Sequence, residues 1–146
     1  MTKEVIVTVK GMHFVDDNDG EKVEVIIPGT YYNKGDSHYI FYEEVMEGVD
    51  DILKNRIVIV GDRVEVIKSG KISVGMQFDR ISAYETEYKT PFGVFPFRIV
   101  TSEIKIEESE KLISCDIKYT LEMEETKISD CELSIKVKPQ GSVSLA

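Results

Sequence analysis

The sequence predicts an all-β protein, a single antiparallel up-and-down β-barrel of about eight to ten strands. Apolar and polar residues alternate over long segments, which marks strands with one buried and one wet face. Turn residues recur at intervals of roughly 8–14 residues, and no convincing helical pattern interrupts them. An immunoglobulin-type sandwich is disfavoured because the chain has no Trp. Closure into a barrel removes the exposed edges that such long strands would otherwise present.

The length and charge of the chain limit the functions that it can serve. Its 146 residues fit one domain spanning residues 1–146. The 18 Lys and Arg residues against 27 Asp and Glu residues give a net charge of -9. We therefore expect no nucleic-acid binding and no attraction to anionic membrane surfaces. No signal-type segment or apolar run of about 18 residues occurs, so the expected location is cytoplasmic.

Few residues have the spacing that cofactor or metal chemistry needs. Cys115 and Cys131 do not form a CxxC motif, and His13 and His38 are far apart. The acidic turn at Asp16–Gly20 is not a calcium loop, because that pattern would place apolar residues at two of the ligand positions. We predict no metal and no cofactor.

The first half of the chain divides into six predicted strands. The first begins at Val5 and runs to about Val15, and the second begins at Val23 and is bent or ended by Pro28-Gly29. Residues 48–54 form either a short helix or a loop. The other predicted strands are His38–Val45, Arg56–Val60, Arg63–Ile67 and Ile72–Phe78.

The clearest alternation lies in the last hairpin. Every second residue from Ile113 to Met123 is apolar, and the pattern resumes at Cys131. A loop at residues 124–127 leaves the two strands out of phase, which predicts a β-bulge near Ser129-Asp130. Leu121 then lies opposite Cys131, and Cys115 opposite Val137. The two cysteines would lie about 20 Å apart, as buried thiols without a disulfide.

The stretch from Tyr84 to Gly93 alternates and then ends in a turn. Glu85, Glu87 and Lys89 need water, so the opposite face should point into the barrel. That face carries Tyr84, Thr86, Tyr88 and Thr90. Phe92, between Pro91 and Gly93, is then expected to cover one end of the barrel.

An ordered set of short motifs carries a family resemblance. In chain order these are residues 39–44 (YIFYEE), 69–70 (SG), 76–78 (MQF), 88–93 (YKTPFG), 118–121 (KYTL) and 133–135 (LSI). The set resembles the YwiB-like family of small uncharacterised bacterial proteins. The resemblance implies a calycin-like, lipocalin-type β-barrel, and it implies no activity.

The leading functional hypothesis is a small amphipathic or apolar ligand inside the barrel. Aromatic walls with a few polar groups are typical of small-molecule sites. The candidate barrel-lining residues are Tyr39, Glu43, Tyr84, Thr86, Tyr88, Thr90, Phe92 and Tyr119, with Arg63 and Arg98 as further polar candidates. In the alternative interpretation, side chains fill the interior and the tyrosine hydroxyls reach the rim.

Besides ligand binding, two other classes of function stay open: a protein-interaction module, including a homodimer, and an enzyme. An interaction module would use an acidic surface formed by Glu103, Glu107, Glu108, Glu110, Glu122, Glu124 and Glu125. A homodimer would use outward apolar residues, with Ile26, Val58, Val60 and Ile67 as candidates. An enzyme is the third possibility, but no catalytic motif occurs, and the paired acids Glu43-Glu44 and Glu107-Glu108 face opposite sides of a strand. We predict no catalytic residues.

Overall fold

The described part of the protein consists almost wholly of β-strands. The computed structural model describes residues 3–11, 24–45 and 52–142. The strands are β1 (Glu4–Lys10), β2 (Glu24–Lys34), β3 (Ser37–Val45), β4 (Ile52–Val60), β5 (Arg63–Ser69), β6 (Val74–Phe78), β7 (Tyr84–Thr90), β8 (Gly93–Ser109), β9 (Leu112–Met123) and β10 (Thr126–Pro139). A short 3₁₀ turn, Gln140–Ser142, follows β10. The predicted turn at Asp16–Gly20 and His13 lie outside the described residues.

The strands form one antiparallel sheet that curls into a nearly closed barrel. Its order is β6-β5-β4-β3-β2-β1-β10-β9-β8-β7, so neighbours in sequence are neighbours in space, and β1 pairs with β10. This confirms the predicted all-β up-and-down barrel. The two edge strands, β6 and β7, meet at the bridge between Ser73 and Lys89, with N–H···O distances of 2.9 and 2.8 Å. We call the line between β6 and β7 the seam.

Side chains from the inner face fill the barrel. The predicted apolar row of β6 is buried at Val74, Met76 and Phe78. Across the barrel, the ring of Tyr119 on β9 packs against Phe78 with 4.8 Å between ring centroids. Of the two interpretations of the interior, the described residues therefore support the filled one.

Two predictions for the first half of the chain are corrected in part. Pro28-Gly29 does not end β2, which pairs with β1 as far as Thr30 and continues beside β3 to Lys34. Gly29 makes this possible, because a Cβ there would lie 2.8 Å from the backbone oxygen of Phe41. Of the predicted helix or loop at residues 48–54, residues 52–54 belong to β4.

The last hairpin contains the predicted β-bulge, but with a different register. Its turn has only two residues, Glu124 and Glu125, with φ angles of 51° and 65°. Such a turn shortens the loop and moves the register shift to between Lys127 and Ser129. Cys131 therefore lies opposite Tyr119 rather than Leu121, and Cys115 lies opposite Ile135 rather than Val137. Both thiols are free, although Cys131 is only half-buried.

A second bulge in β8 reverses which residues face inward. The pairing with β9 shifts between Thr101 and Glu103. Before the shift, the inward residues are Phe97, Ile99 and Thr101. After it, Ile104 and Ile106 join the core instead, and Glu108 takes the next inward position. The bulge thus carries a carboxylate to one end of the barrel.

Candidate functional site

Two of the predicted barrel-lining residues, Tyr39 and Glu43, face outward instead. Their neighbours Ile40 and Tyr42 are buried, and Ile40 pairs with Ile57 in the barrel core. Since alternate residues of a strand face opposite sides, the odd-numbered residues of β3 are turned toward solvent. Aromatic residues on both faces of β3 concealed this phase in the sequence.

The row on β7 has the predicted phase but is only half-buried. Tyr84, Thr86 and Tyr88 alternate with the exposed residues Glu85 and Glu87. The Thr86 hydroxyl donates a hydrogen bond to the Gly75 carbonyl across the seam. Burial raises the pKa of the Tyr88 phenol. These side chains lie beside the seam rather than deep in the core.

Thr90 and Phe92 do not line or cover the barrel. The Thr90 hydroxyl accepts the N–H of Phe92 at 3.1 Å and donates to the Gly93 carbonyl at 3.1 Å. Thr90 thus stabilises the β7–β8 turn, and the Phe92 side chain is left 94% exposed. The prediction that Phe92 covers one end of the barrel is wrong.

Tyr119 is inside the barrel as predicted, but it belongs to the packed core. Burial, with Cys131 beside it, raises the pKa of its phenol far above the ordinary value. The contact with Phe78 occupies the space that a ligand in the interior would need.

A cleft of about 1030 Å³ follows the seam, where the barrel is incompletely closed. Its walls include the apolar side chains of Val74, Phe97 and Met123. We call it the seam cleft; it is lined also by Lys68, Gly75, Tyr84, Thr86, Lys89, Arg98 and the carboxylates Glu85, Glu87, Glu122, Glu124 and Glu125. Arg98 pairs with Glu122 at 3.2 Å. The seam cleft therefore joins apolar walls to a mainly acidic rim.

A polar cluster that the sequence did not predict adjoins the seam cleft. The Lys68 ammonium donates to Glu44 Oε1 at 2.6 Å and to Asn55 Oδ1 at 3.0 Å. Asn55 Nδ2 donates to the same carboxylate oxygen at 3.1 Å. Asn55 is only 2% exposed and lies on the inward face of β4 next to Ile57. The sequence signal for this cluster was Asn55 itself, a polar residue at an inward position in the apolar row of β4.

A second unpredicted cluster lies at the opposite end of the barrel. The Tyr31 hydroxyl is 2.6 Å from His38 Nδ1, and His38 Nε2 is hydrogen-bonded to Glu108. This series of hydrogen bonds resembles a nucleophile oriented by a base. However, Tyr31 is only 8% exposed, and burial raises the pKa of its phenol. We therefore interpret the cluster as a structural contact that joins β2 and β3 to β8 across the barrel end.

Ion pairs neutralise part of the predicted acidic surface. Glu103 lies 3.9 Å from the ammonium groups of both Lys105 and Lys118. These residues line a groove of about 560 Å³ on the outer face, where four lysines accompany four carboxylates. Within the described ranges, no group of three or more His, Cys, Asp or Glu residues is arranged to hold a metal ion. The same residues include no helix with the length and apolarity needed to cross a membrane.

Comparison with known proteins identifies the family. The family described as Domain of unknown function (DUF1934) matches residues 7–135. The chain belongs to the DUF1934 family. Its fold is similar to the crystal structure of the ywiB protein from Bacillus subtilis, with a TM-score of 0.72 and 20% identity over 93% of this chain and 88% of that one. No curated protein matches the chain.

These findings confirm the YwiB-like resemblance and with it the fold of this DUF1934 protein. These findings assign no activity to the protein, since the description of the family names none.

Proposed function

We propose that this protein is a cytosolic binding protein that takes a small amphipathic molecule in the seam cleft. The observation that carries the proposal is the cleft itself, about 1030 Å³ in volume, where the barrel edges share one bridge. Small-molecule sites commonly measure about 300–1,000 Å³. The location differs from the sequence-based hypothesis, because the interior is filled and the space lies at the seam.

The lining of the seam cleft fits a ligand with an apolar body and a polar end. The apolar wall consists of Val74 and Phe97, which are almost fully buried, and of Met123, which is partly exposed. Glu85 and Glu87 face solvent at the rim. An apolar body would gain about 25 cal/mol for each Å² that it buries against the wall, while the polar end stays near water.

A second candidate function is self-association through the outer face of β2 and β3. Ile26, Tyr32 and Phe41 on this face are 66%, 46% and 39% exposed. The rings of Tyr32 and Phe41 contact each other edge to face, with 5.9 Å between centroids. Exposed apolar groups in contact, as Tyr32 and Phe41 are, commonly mark an interaction surface.

Gly75 offers a direct test of the seam cleft. A Cβ at this position, which lines the cleft, would meet nothing closer than Ile67 Cγ1 at 4.0 Å, so a side chain can be added there without a backbone clash. We expect Gly75→Phe to weaken binding of the fluorescent apolar probe N-phenyl-1-naphthylamine by at least about tenfold, or about 1.4 kcal/mol. The matched control is Gln77→Phe, on the same face of β6 but outside the cleft lining.

The experiment has a clear contrary outcome. If the wild-type protein does not bind the probe, or Gly75→Phe binds it as well as Gln77→Phe does, the seam cleft is not the ligand site. Native mass spectrometry of the freshly purified protein provides a second measurement. A retained small molecule supports the proposal, and a dimer without one supports self-association.

A further inference from the structure

We infer that Lys68 is the polar anchor of the seam cleft and donates a hydrogen bond to an uncharged oxygen acceptor on the ligand. The chemical class is an amphipathic amide, ester or ketone. This inference rests on the proposed function, because it names the ligand class of the same site.

The geometry of the Lys68 ammonium leaves one donor for a ligand. A lysine ammonium has three N–H donors and no acceptor. Within the described residues, two acceptors are found for it, Glu44 Oε1 and Asn55 Oδ1. The side chain is only 13% exposed, and Lys68 is one of the residues that line the cleft. Because the side chain keeps this exposure where it lines the cleft, the third donor can bond an acceptor that a ligand brings there.

The Lys68 cluster is preorganised to hold this donor in place. Asn55 is almost fully buried, and its amide nitrogen donates to both Glu44 Oε1 and the Leu53 carbonyl. These bonds orient the Asn55 oxygen toward the ammonium. A donor whose position is already set by its neighbours loses little freedom when a ligand binds.

The surrounding charges favour an uncharged acceptor over a carboxylate. Glu44 already neutralises the Lys68 ammonium at 2.6 Å. A ligand carboxylate at the third donor would add a negative charge beside Glu44. It would also have to enter past the rim carboxylates, which include Glu85 and Glu87. An amide oxygen accepts the same hydrogen bond without this repulsion.

Competition against the oxygen-free probe N-phenyl-1-naphthylamine tests the inference. The competitors are octanamide, octanoate and octylammonium, which share one chain length and differ in the head group. We expect octanamide to compete at least about tenfold better than octanoate. In Lys68→Met/Glu44→Gln, which removes both charges together, octanamide should lose on the order of 10- to 100-fold in affinity. Lys54→Met, an exposed lysine on β4 outside the cleft lining, is the matched control and should bind octanamide as the wild type does.

The outcomes separate the anchor from the binding function. If the double variant binds both the probe and octanamide as the wild type does, Lys68 is not the anchor and the proposed function stands. If the wild type does not bind the probe, the proposed function fails and the anchor with it. If the double variant does not fold, the octanoate affinity of the single variant Glu44→Gln tests the inference. Octanoate should then gain at least about tenfold because a negative charge is lost, and an unchanged octanoate affinity would overturn the inference.

Discussion

Gly29 tests the packing of the strand that runs past Pro28. A Cβ at this position would lie 2.8 Å from the Phe41 backbone oxygen and 2.9 Å from Val7 Cγ2. Neither neighbour can retreat easily, because the oxygen belongs to β3 and Val7 is fully buried. Overpacking of this kind costs about 1–3 kcal/mol. Gly29→Ala should therefore be destabilising, although alanine reduces the freedom of the unfolded chain.

The matched control for this change is Gly75→Ala. Gly75 is also a strand glycine, and its added Cβ would meet nothing closer than 4.0 Å. Both variants lose the same unfolded-state freedom, about 0.4–1 kcal/mol in favour of alanine. The difference between their free energies of unfolding thus isolates the clash, and we expect about 1–3 kcal/mol. Urea unfolding at 25 °C measures it, and a difference below about 0.5 kcal/mol would refute the close packing at Gly29.

Two further predictions concern titration and the barrel end. Burial, helped by Asp116 and Glu108, raises the pKa of the Cys115 thiol from 9.0 to about 12. Between these values the unfolded chain binds fewer protons than the folded one, so stability should fall as the pH rises, by up to about 1.4 kcal/mol per pH unit for this group. Urea midpoints between pH 8 and 11 measure the slope, which Cys115→Ala should reduce; an unchanged slope would contradict the buried thiol. At the barrel end, a double-mutant cycle with His38→Gln and Glu108→Gln should give a coupling of about 1 kcal/mol. The control pair Lys127 and Asp130, 60% and 70% exposed, should give a clearly smaller coupling, and equal couplings would show that the partial burial of the His38 contact adds nothing.

The candidate site was only partly predictable, because the sequence does not always show which face of a strand points inward. Three strands illustrate this. On β7, charged residues alternate with Tyr84, Thr86 and Tyr88, so one face had to be wet and the phase was readable. On β3, aromatic residues occupy both faces, and only the pairing of Ile40 with Ile57 decides that Tyr39 faces out. On β8, a bulge changes the phase between Thr101 and Glu103. Local alternation shows such a change only when the strand partner is known.

The two polar clusters illustrate the same limit. Lys68, Glu44 and Asn55 come from three strands, and Tyr31, His38 and Glu108 also come from three. Their contacts span as many as 70 positions in the sequence, from His38 to Glu108. A polar residue at an inward position signals that a partner is needed, but it does not say which residue supplies it.

The sequence by itself determined the fold class, most strand positions and the inward face of β7. It could do so because a period of two is a local property of the backbone. The tertiary structure alone decided the register of the last hairpin, the exposure of Phe92 and the incomplete closure between β6 and β7. These depend on turn geometry and on partners distant in the chain. The seam cleft exists for the same reason, since the backbones of β6 and β7 are joined by the bridge between Ser73 and Lys89 and the cleft follows the rest of the seam.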